Sequence, residues 1–162
     1  MEANKTKTVE FLVKSAVVAS LYAILTVINP LSFYGIQFRV SEILILLVFI
    51  DKKYTYSLVI GCILANLASP FGLVDIVFGS LATLLACLMI ARTKSLFVAT
   101  LWPALTNGVI IGLVLKQMLD LPFLLSAFQV AFGEFMVLSV AGYILFKRIL
   151  KDKSLIDIIK FN

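Results

Sequence analysis

Apolar runs closed by short polar or helix-breaking punctuation set the rhythm of this chain. A run from Leu12 to Ile28 stops at Asn29-Pro30, a pair that ends helices. A shorter run from Ile43 to Ile50 is framed by Arg39 and Glu42 on one side and by Asp51, Lys52 and Lys53 on the other. A third begins at Tyr54 and halts at Pro70-Phe71-Gly72. A fourth ends at Arg92-Thr93-Lys94-Ser95, and two more flank the stretch 116–122. A bilayer-spanning helix needs about 20 predominantly apolar residues. The pattern therefore predicts an all-α, polytopic membrane protein, a single membrane domain over 1–162. Its six transmembrane helices are expected near 12–29, 38–51, 54–69, 73–91, 96–115 and 123–146, with a basic tail at 147–162. The tail alternates Leu155, Ile156, Ile158 and Ile159 with charges, the pattern of a helix lying on a membrane surface.

Composition agrees. The chain of 162 residues is 62% hydrophobic and 14% charged, with a mean hydropathy of +1.09. Soluble domains are about half apolar and a quarter charged. The first run lacks a clear small-residue cleavage site, so it is expected to stay as a span. Net charge +5 could suggest nucleic acid, but the placement of the charges argues for topology instead. With the amino terminus inside, the inner segments hold all fourteen Lys and Arg residues except Arg39 and Lys116. Basic residues favour the cytoplasmic side, so both termini are expected in the cytoplasm. Arg39 is then an exception that needs a reason.

Depth supplies that reason. At about 1.5 Å of rise per residue, Gln37, Arg39 and Glu42 fall at the outer start of the second span. Asn66 closes the third, Asp75 opens the fourth, Asn107 lies in the outer half of the fifth, and Gln129 and Glu134 lie in the outer half or middle of the sixth. Five spans thus place carboxylates, amides and one guanidinium in a single layer, while the inner halves carry almost none. Charge within lipid is costly and usually faces a protein interior or watery cavity, where it marks function. Blander readings compete at each position. Arg39 could only pair with Glu42 or Asp75. Asp75 could serve the positive end of its helix. Asn66 and Asn107 could join helices by hydrogen bonds.

Other residues sort by elimination. There is no histidine, and Cys62 and Cys87 sit in apolar runs as small hydrophobes rather than a disulfide. No cofactor or metal set is expected, and enzyme chemistry finds no base–nucleophile pair. No phosphate-binding Gly-x-x-x-x-Gly-Lys-Ser/Thr run is present, so this chain is not expected to hydrolyse ATP itself. On the first span, Ala16/Ser20 and Ala19/Ala23 are small-xxx-small pairs. Such surfaces let two helices approach closely, either within the bundle or against a partner.

The segments Ile-Gln-Phe-Arg-Val-Ser-Glu (36–42), Ala-Asn-Leu-Ala-Ser-Pro (65–70), Asp75 with Phe-Gly-Ser-Leu-Ala-Thr (78–83), Asn107 and Gly133-Glu134 resemble the QueT-type queuosine-precursor transporters. These are S components, the substrate-binding subunits of energy-coupling factor (ECF) vitamin transporters. The resemblance runs from the first span to Phe146. It implies a bacterial cell-membrane protein that captures a 7-deazaguanine-type base on the extracellular side. It would work with an ECF transmembrane scaffold and two cytoplasmic ATPases in the lipid bilayer, and no nucleic-acid partner is expected. The first-helix residues Ala16, Ala19, Ser20 and Ala23 would then face the scaffold.

A guanine-like edge offers an N–H beside an amino group, and a carboxylate accepts both. Glu134 or Glu42 is expected in that role. Asp75 is expected to meet an aminomethyl cation where the base carries one. Gln37, Arg39, Asn66 and Asn107 would serve the remaining polar atoms. Phe33, Tyr34, Phe38 and Phe71, on the outer loops, are candidates to stack on the base or gate it; an interfacial aromatic belt is their other reading. Two alternatives stay open: a small ion-coupled carrier using Glu134, Asp75 and Glu42 as relays, and an S component for a different vitamin or base.

Overall fold

A computed structural model describes residues 2–33 and 37–161, with side chains described from residue 5. The expectation for Tyr34 lies outside the described residues. Among those described there is no strand. Seven helices follow one another: α1 (Glu2–Ile28), α2 (Val40–Ile50), α3 (Tyr54–Asn66), α4 (Leu73–Ile90), α5 (Leu96–Leu119), α6 (Phe123–Ile149) and α7 (Lys153–Ile159).

Each boundary has a local cause. Asn29 ends α1 by accepting from the Leu31 N–H through Oδ1 (3.1 Å) and donating from Nδ2 to the Phe38 carbonyl (2.5 Å). Pro30, which has no N–H, opens the 3-10 turn Pro30–Phe33. Gly72 enters α4 at φ +56°, a conformation that favours glycine. Asp152 caps α7 by accepting from the N–H groups of Ser154 (3.0 Å) and Leu155 (3.2 Å).

By length and composition, α1, α4, α5 and α6 can each cross a membrane, whereas α2 and α3 are shorter apolar helices. The α2 helix is seven residues of 3-10 helix followed by four of α-helix. At about 2.0 and 1.5 Å of rise it reaches about 20 Å, against a hydrocarbon thickness of about 30 Å. The thirteen residues of α3 reach a similar length. In α3 the expected end at residue 69 retreats to Asn66, because Leu67, Ala68 and Ser69 turn back with bonds to carbonyls three residues earlier.

In space, α1 packs on α3, α3 on α4, α4 on α5 and α5 on α6, while α2 touches all five. The short helix is the axis of the bundle. Its Ile45 and Leu46 are fully buried and share one core with Leu58, Ile90 and Leu138. Small residues set the tightest crossings. A Cβ on Gly61 would meet the Ala19 carbonyl and the Tyr22 Cβ at 2.9 Å, and one on Gly112 would meet the Ala127 backbone at 2.8 Å. Midway, α6 widens into a π-helical stretch, Met136–Gly142, packed against α2. The tail does more than lie on a surface. Tyr54 Oη donates to the Ile159 carbonyl (2.6 Å), and the Phe161 N–H donates to Asp51 (3.1 Å). This fastens the tail beneath α1 and the α2–α3 turn, with Ile158 facing outward.

Candidate functional site

The extended segment Gln37–Arg39 leads into α2 and lies flat against α6. Only a glycine permits this: a Cβ on Gly133 would meet the Gln37 carbonyl oxygen at 2.5 Å. That contact sets Gln37, Arg39 and Glu42 beside Glu134, the next residue of α6. All four are buried, at 2%, 2%, 0% and 1% exposure.

Arg39 is held from three sides. Its Nε donates to the Ser32 carbonyl (3.0 Å), its Nη2 donates to Asn66 Oδ1 (3.4 Å), and its guanidinium lies 5.6 Å from the Phe33 ring centre. Asn66 passes the link to α4 by donating from Nδ2 to the Asp75 carbonyl (2.8 Å). Gly79 makes room, since a Cβ there would sit 2.6 Å from that amide nitrogen.

The two glutamates share a pattern. Tyr22 on α1 donates its hydroxyl to Glu42 Oε1, and Asn107 on α5 donates to Glu134 Oε1 (2.9 Å). In both, the second oxygen, Oε2, is buried without a hydrogen-bond partner among the described residues. The Ser32 hydroxyl beside Arg39 is in the same condition. Buried polar atoms are nearly always hydrogen-bonded, so each exception calls for an explanation. Arg39 interacts electrostatically with Glu42 and Glu134, and those two interact with each other. Among the described residues it forms no ion pair with either within 4 Å; the pair at that range is Lys14–Glu10. The expected pairing of Arg39 with Glu42 or Asp75 therefore gives way to a guanidinium anchored on neutral acceptors.

Asp75 stands slightly apart. Its carboxylate accepts from the Ser69 hydroxyl, which in turn accepts from the Phe71 N–H (3.2 Å), so Asp75 shapes the α3–α4 loop. Phe71 packs on Ile111, Leu115 and Val130. Ile111 and Val130 lie one turn from Asn107 and Glu134 on the loop side, so Phe71 roofs that pair. Phe33 underlies Arg39, while Phe38 is half-buried and contributes its carbonyl to Asn29.

The small residues of α1 divide. Ala19 is buried against Gly61 and Ala23 packs on the core, whereas Ala16 and Ser20 are exposed. Sequence reasoning missed Tyr22, Ser32, Ser41 and Thr26; the last two share a hydrogen bond of 2.6 Å that ties α1 to α2. The signal available was faint: Tyr22 and Thr26 lie four apart in an otherwise apolar run, on one helix face.

Comparison with known proteins is consistent across most of the chain. A family model described as QueT transporter matches residues 12–151. A curated queuosine precursor transporter QueT from Lactococcus lactis subsp. cremoris (strain MG1363) is 36% identical over 164 residues, covering 89% of this chain and 94% of that protein. No solved structure matches.

Proposed function

Because the chain belongs to the QueT transporter family, we propose that it is the substrate-binding membrane subunit through which a bacterial cell takes up a queuosine precursor, a base of the 7-deazaguanine type. One observation carries this reading of the site: two buried carboxyl groups, on different helices and flanking one anchored guanidinium, each keep an oxygen without a partner among the described residues. Glu134 accepts the paired N–H and amino donors of the base. Arg39, Asn66, Asn107 and Gln37 serve its acceptor atoms and hold the carboxylates in place. Phe33 and Phe71 lie close enough to the polar layer to stack on the ring.

The same proposal places six spans in one membrane domain, with both termini in the cytoplasm. The two short helices fit that picture. Irregular backbone at membrane depth is tolerated where protein buries it, and the segment 37–39 and the turn after Asn66 are covered by α6 and α4. Energy comes from elsewhere, since the chain has no phosphate-binding loop. We assign it to an ECF scaffold and two cytoplasmic ATPases, with the scaffold seated on the exposed Ala16/Ser20 face of α1.

Glu134→Gln tests the site. It keeps size and hydrogen-bonding capacity but replaces one acceptor oxygen with a donor. Affinity of the purified protein for a 7-deazaguanine should fall by about a hundredfold or more, with the unfolding transition intact. Unchanged affinity would remove Glu134 from the site. Uptake into vesicles should require ATP and the partner subunits; uptake by the lone protein on an ion gradient would favour a secondary carrier.

A further inference from the structure

At the opposite end of the bundle from the polar layer, lysines and apolar surface meet in one hollow. It has a volume of about 420 Å³ and lies between α3 and α4. A short turn joins those helices, so the start of α3 is level with the end of α4. Leu84 and Leu88, one helical turn apart on α4, form the apolar wall with Ala91. Tyr56, 66% exposed, stands at the side, and Lys52 and Lys53 reach in from the α2–α3 turn. A second hollow of about 350 Å³ adjoins it, sharing Lys53 and Tyr56 and adding Lys7 and Phe161. Nearby acids are committed elsewhere. Asp51 accepts from the N–H groups of Lys53 (2.9 Å) and Phe161 (3.1 Å), and Glu10 pairs with Lys14. Among the described residues neither Lys52 nor Lys53 enters an ion pair. The hollow between α4 and α5, lined by Phe78, Leu81, Ile110 and Leu113, differs in holding no charged side chain.

We propose that the α3–α4 hollow seats an anionic phospholipid, with an acyl chain along Leu84 and Leu88 and the phosphate at Lys52 and Lys53. This rests on the reading of the chain as a membrane domain, and the cytoplasmic leaflet follows from the orientation given above. A lipid brings both halves at once, hydrocarbon for the leucine wall and a phosphodiester for the lysines. A soluble anion would leave the wall bare, and a lipid without net charge would leave the lysines without a counter-charge. Basic pockets between helices on the cytoplasmic side bind anionic headgroups, and each lysine near such a surface adds about fivefold in affinity. Tyr56 has the amphipathic ring that suits headgroup depth. Arg92 and Lys94, exposed in the turn after α4, raise the positive potential of the same rim.

The experiment is native mass spectrometry of the delipidated full-length protein in detergent, titrated with dioleoylphosphatidylglycerol or dioleoylphosphatidylcholine. The anionic lipid should be retained about tenfold more tightly or better. In Lys52→Gln/Lys53→Gln that preference should collapse to within about twofold. In Lys151→Gln/Lys153→Gln, which removes the same charge from the tail, it should persist. Affinity for a 7-deazaguanine should be unchanged in both double variants, so the lipid seat and the base site fail independently. Equal retention of the two lipids by the unaltered protein would overturn the proposal, as would equal losses in the two double variants, which would reduce the effect to total charge. Displacement of the lipid by millimolar inorganic phosphate would overturn it in favour of a free-anion site. If no lipid is retained and Lys52 and Lys53 are shielded from acetylation only when a partner subunit is added, the face belongs to a protein and the proposal falls. The unaltered protein decides the lipid preference, so a variant that fails to fold does not blunt the test.

Discussion

Two regions of this molecule gather charge, and they treat it in opposite ways. At the foot of the bundle, where the chain ends meet, Lys14, Tyr54 and Asp51 each have a partner. Lys14 pairs with Glu10 at 2.5 Å and donates to the Lys160 carbonyl at 2.8 Å. Phe161 packs on Tyr54 and Phe11 with ring centres 4.5 and 5.2 Å apart, and Lys14 and Lys53 lie 5.7 and 5.6 Å from its ring centre. At the other end, the layer around Arg39 is more deeply buried and yet leaves two carboxylate oxygens and a hydroxyl without partners among the described residues. Satisfied charge at a surface is a fastener. Under the proposed function, unsatisfied polar atoms in an interior are held in readiness, since leaving those oxygens unpaired is a penalty that a ligand's donors relieve. The family match ends at residue 151, so the fastener's tail half lies beyond it, whereas the whole layer lies within.

The comparison breaks most visibly at Gly133. Alanine there would put a Cβ 2.5 Å from the Gln37 carbonyl, a backbone atom that cannot swing aside. The segment 37–39 must then lift from α6 and carry Arg39 away from Glu134. Such overpacking costs about 1–3 kcal/mol of stability. Ligand affinity should fall further than stability, by about a hundredfold. Calorimetry beside a thermal melt separates the two effects. If affinity falls no more than the melt accounts for, the layer is scaffold rather than site.

Tyr22→Phe is a finer probe. The ring and its packing on α3 remain, and only the hydroxyl that orients Glu42 is removed. Glu42 would then have both oxygens without a protein donor, a loss of about 1–3 kcal/mol. About a tenfold drop in affinity for a 7-deazaguanine is expected, read beside a thermal melt. A drop no larger than the melt accounts for would mean that Tyr22 supports the bundle rather than the site.

These residues also show what a sequence can disclose. Helix positions were legible because hydrocarbon thickness fixes run length, and Arg39, Glu42, Asn66, Asn107 and Glu134 stood out because charge and amides are rare in such runs. Tyr22, Ser32 and Ser41 did not, since a hydroxyl in an apolar stretch is commonplace and its partner is set by packing. Rotation was equally hidden. Spacing put Ala16/Ser20 and Ala19/Ala23 on adjoining faces, but only the seat of Gly61 decides that Ala19 turns inward and Ala16 outward. The 3-10 winding of α2 and the π-helical stretch of α6 arise where the two helices press together, and no local pattern announces either. The partner of Asp75 was not legible either, because Ser69 comes from the loop, six residues away.

The smallest effect is expected at the fastener, and its smallness is the point. Phe161→Ala removes two aromatic contacts and the ring faced by two lysines, while the Phe161 N–H to Asp51 and the Tyr54 to Ile159 bonds are backbone-mediated on the tail side and can persist. Aromatic pairs are worth about 0.5–1.5 kcal/mol beyond their area, and exposed cation–π contacts about 0.5–1 kcal/mol. The melt should therefore drop by a few degrees, somewhat less at high salt, where the attraction of the two lysines for the ring is already screened. Affinity for the base should not move, because no element of the tail reaches Arg39 or either glutamate. A change in affinity matching the loss at Tyr22 would mean that the two ends of α1 communicate, and that the fastener reports on the site instead of merely closing the bundle beneath it.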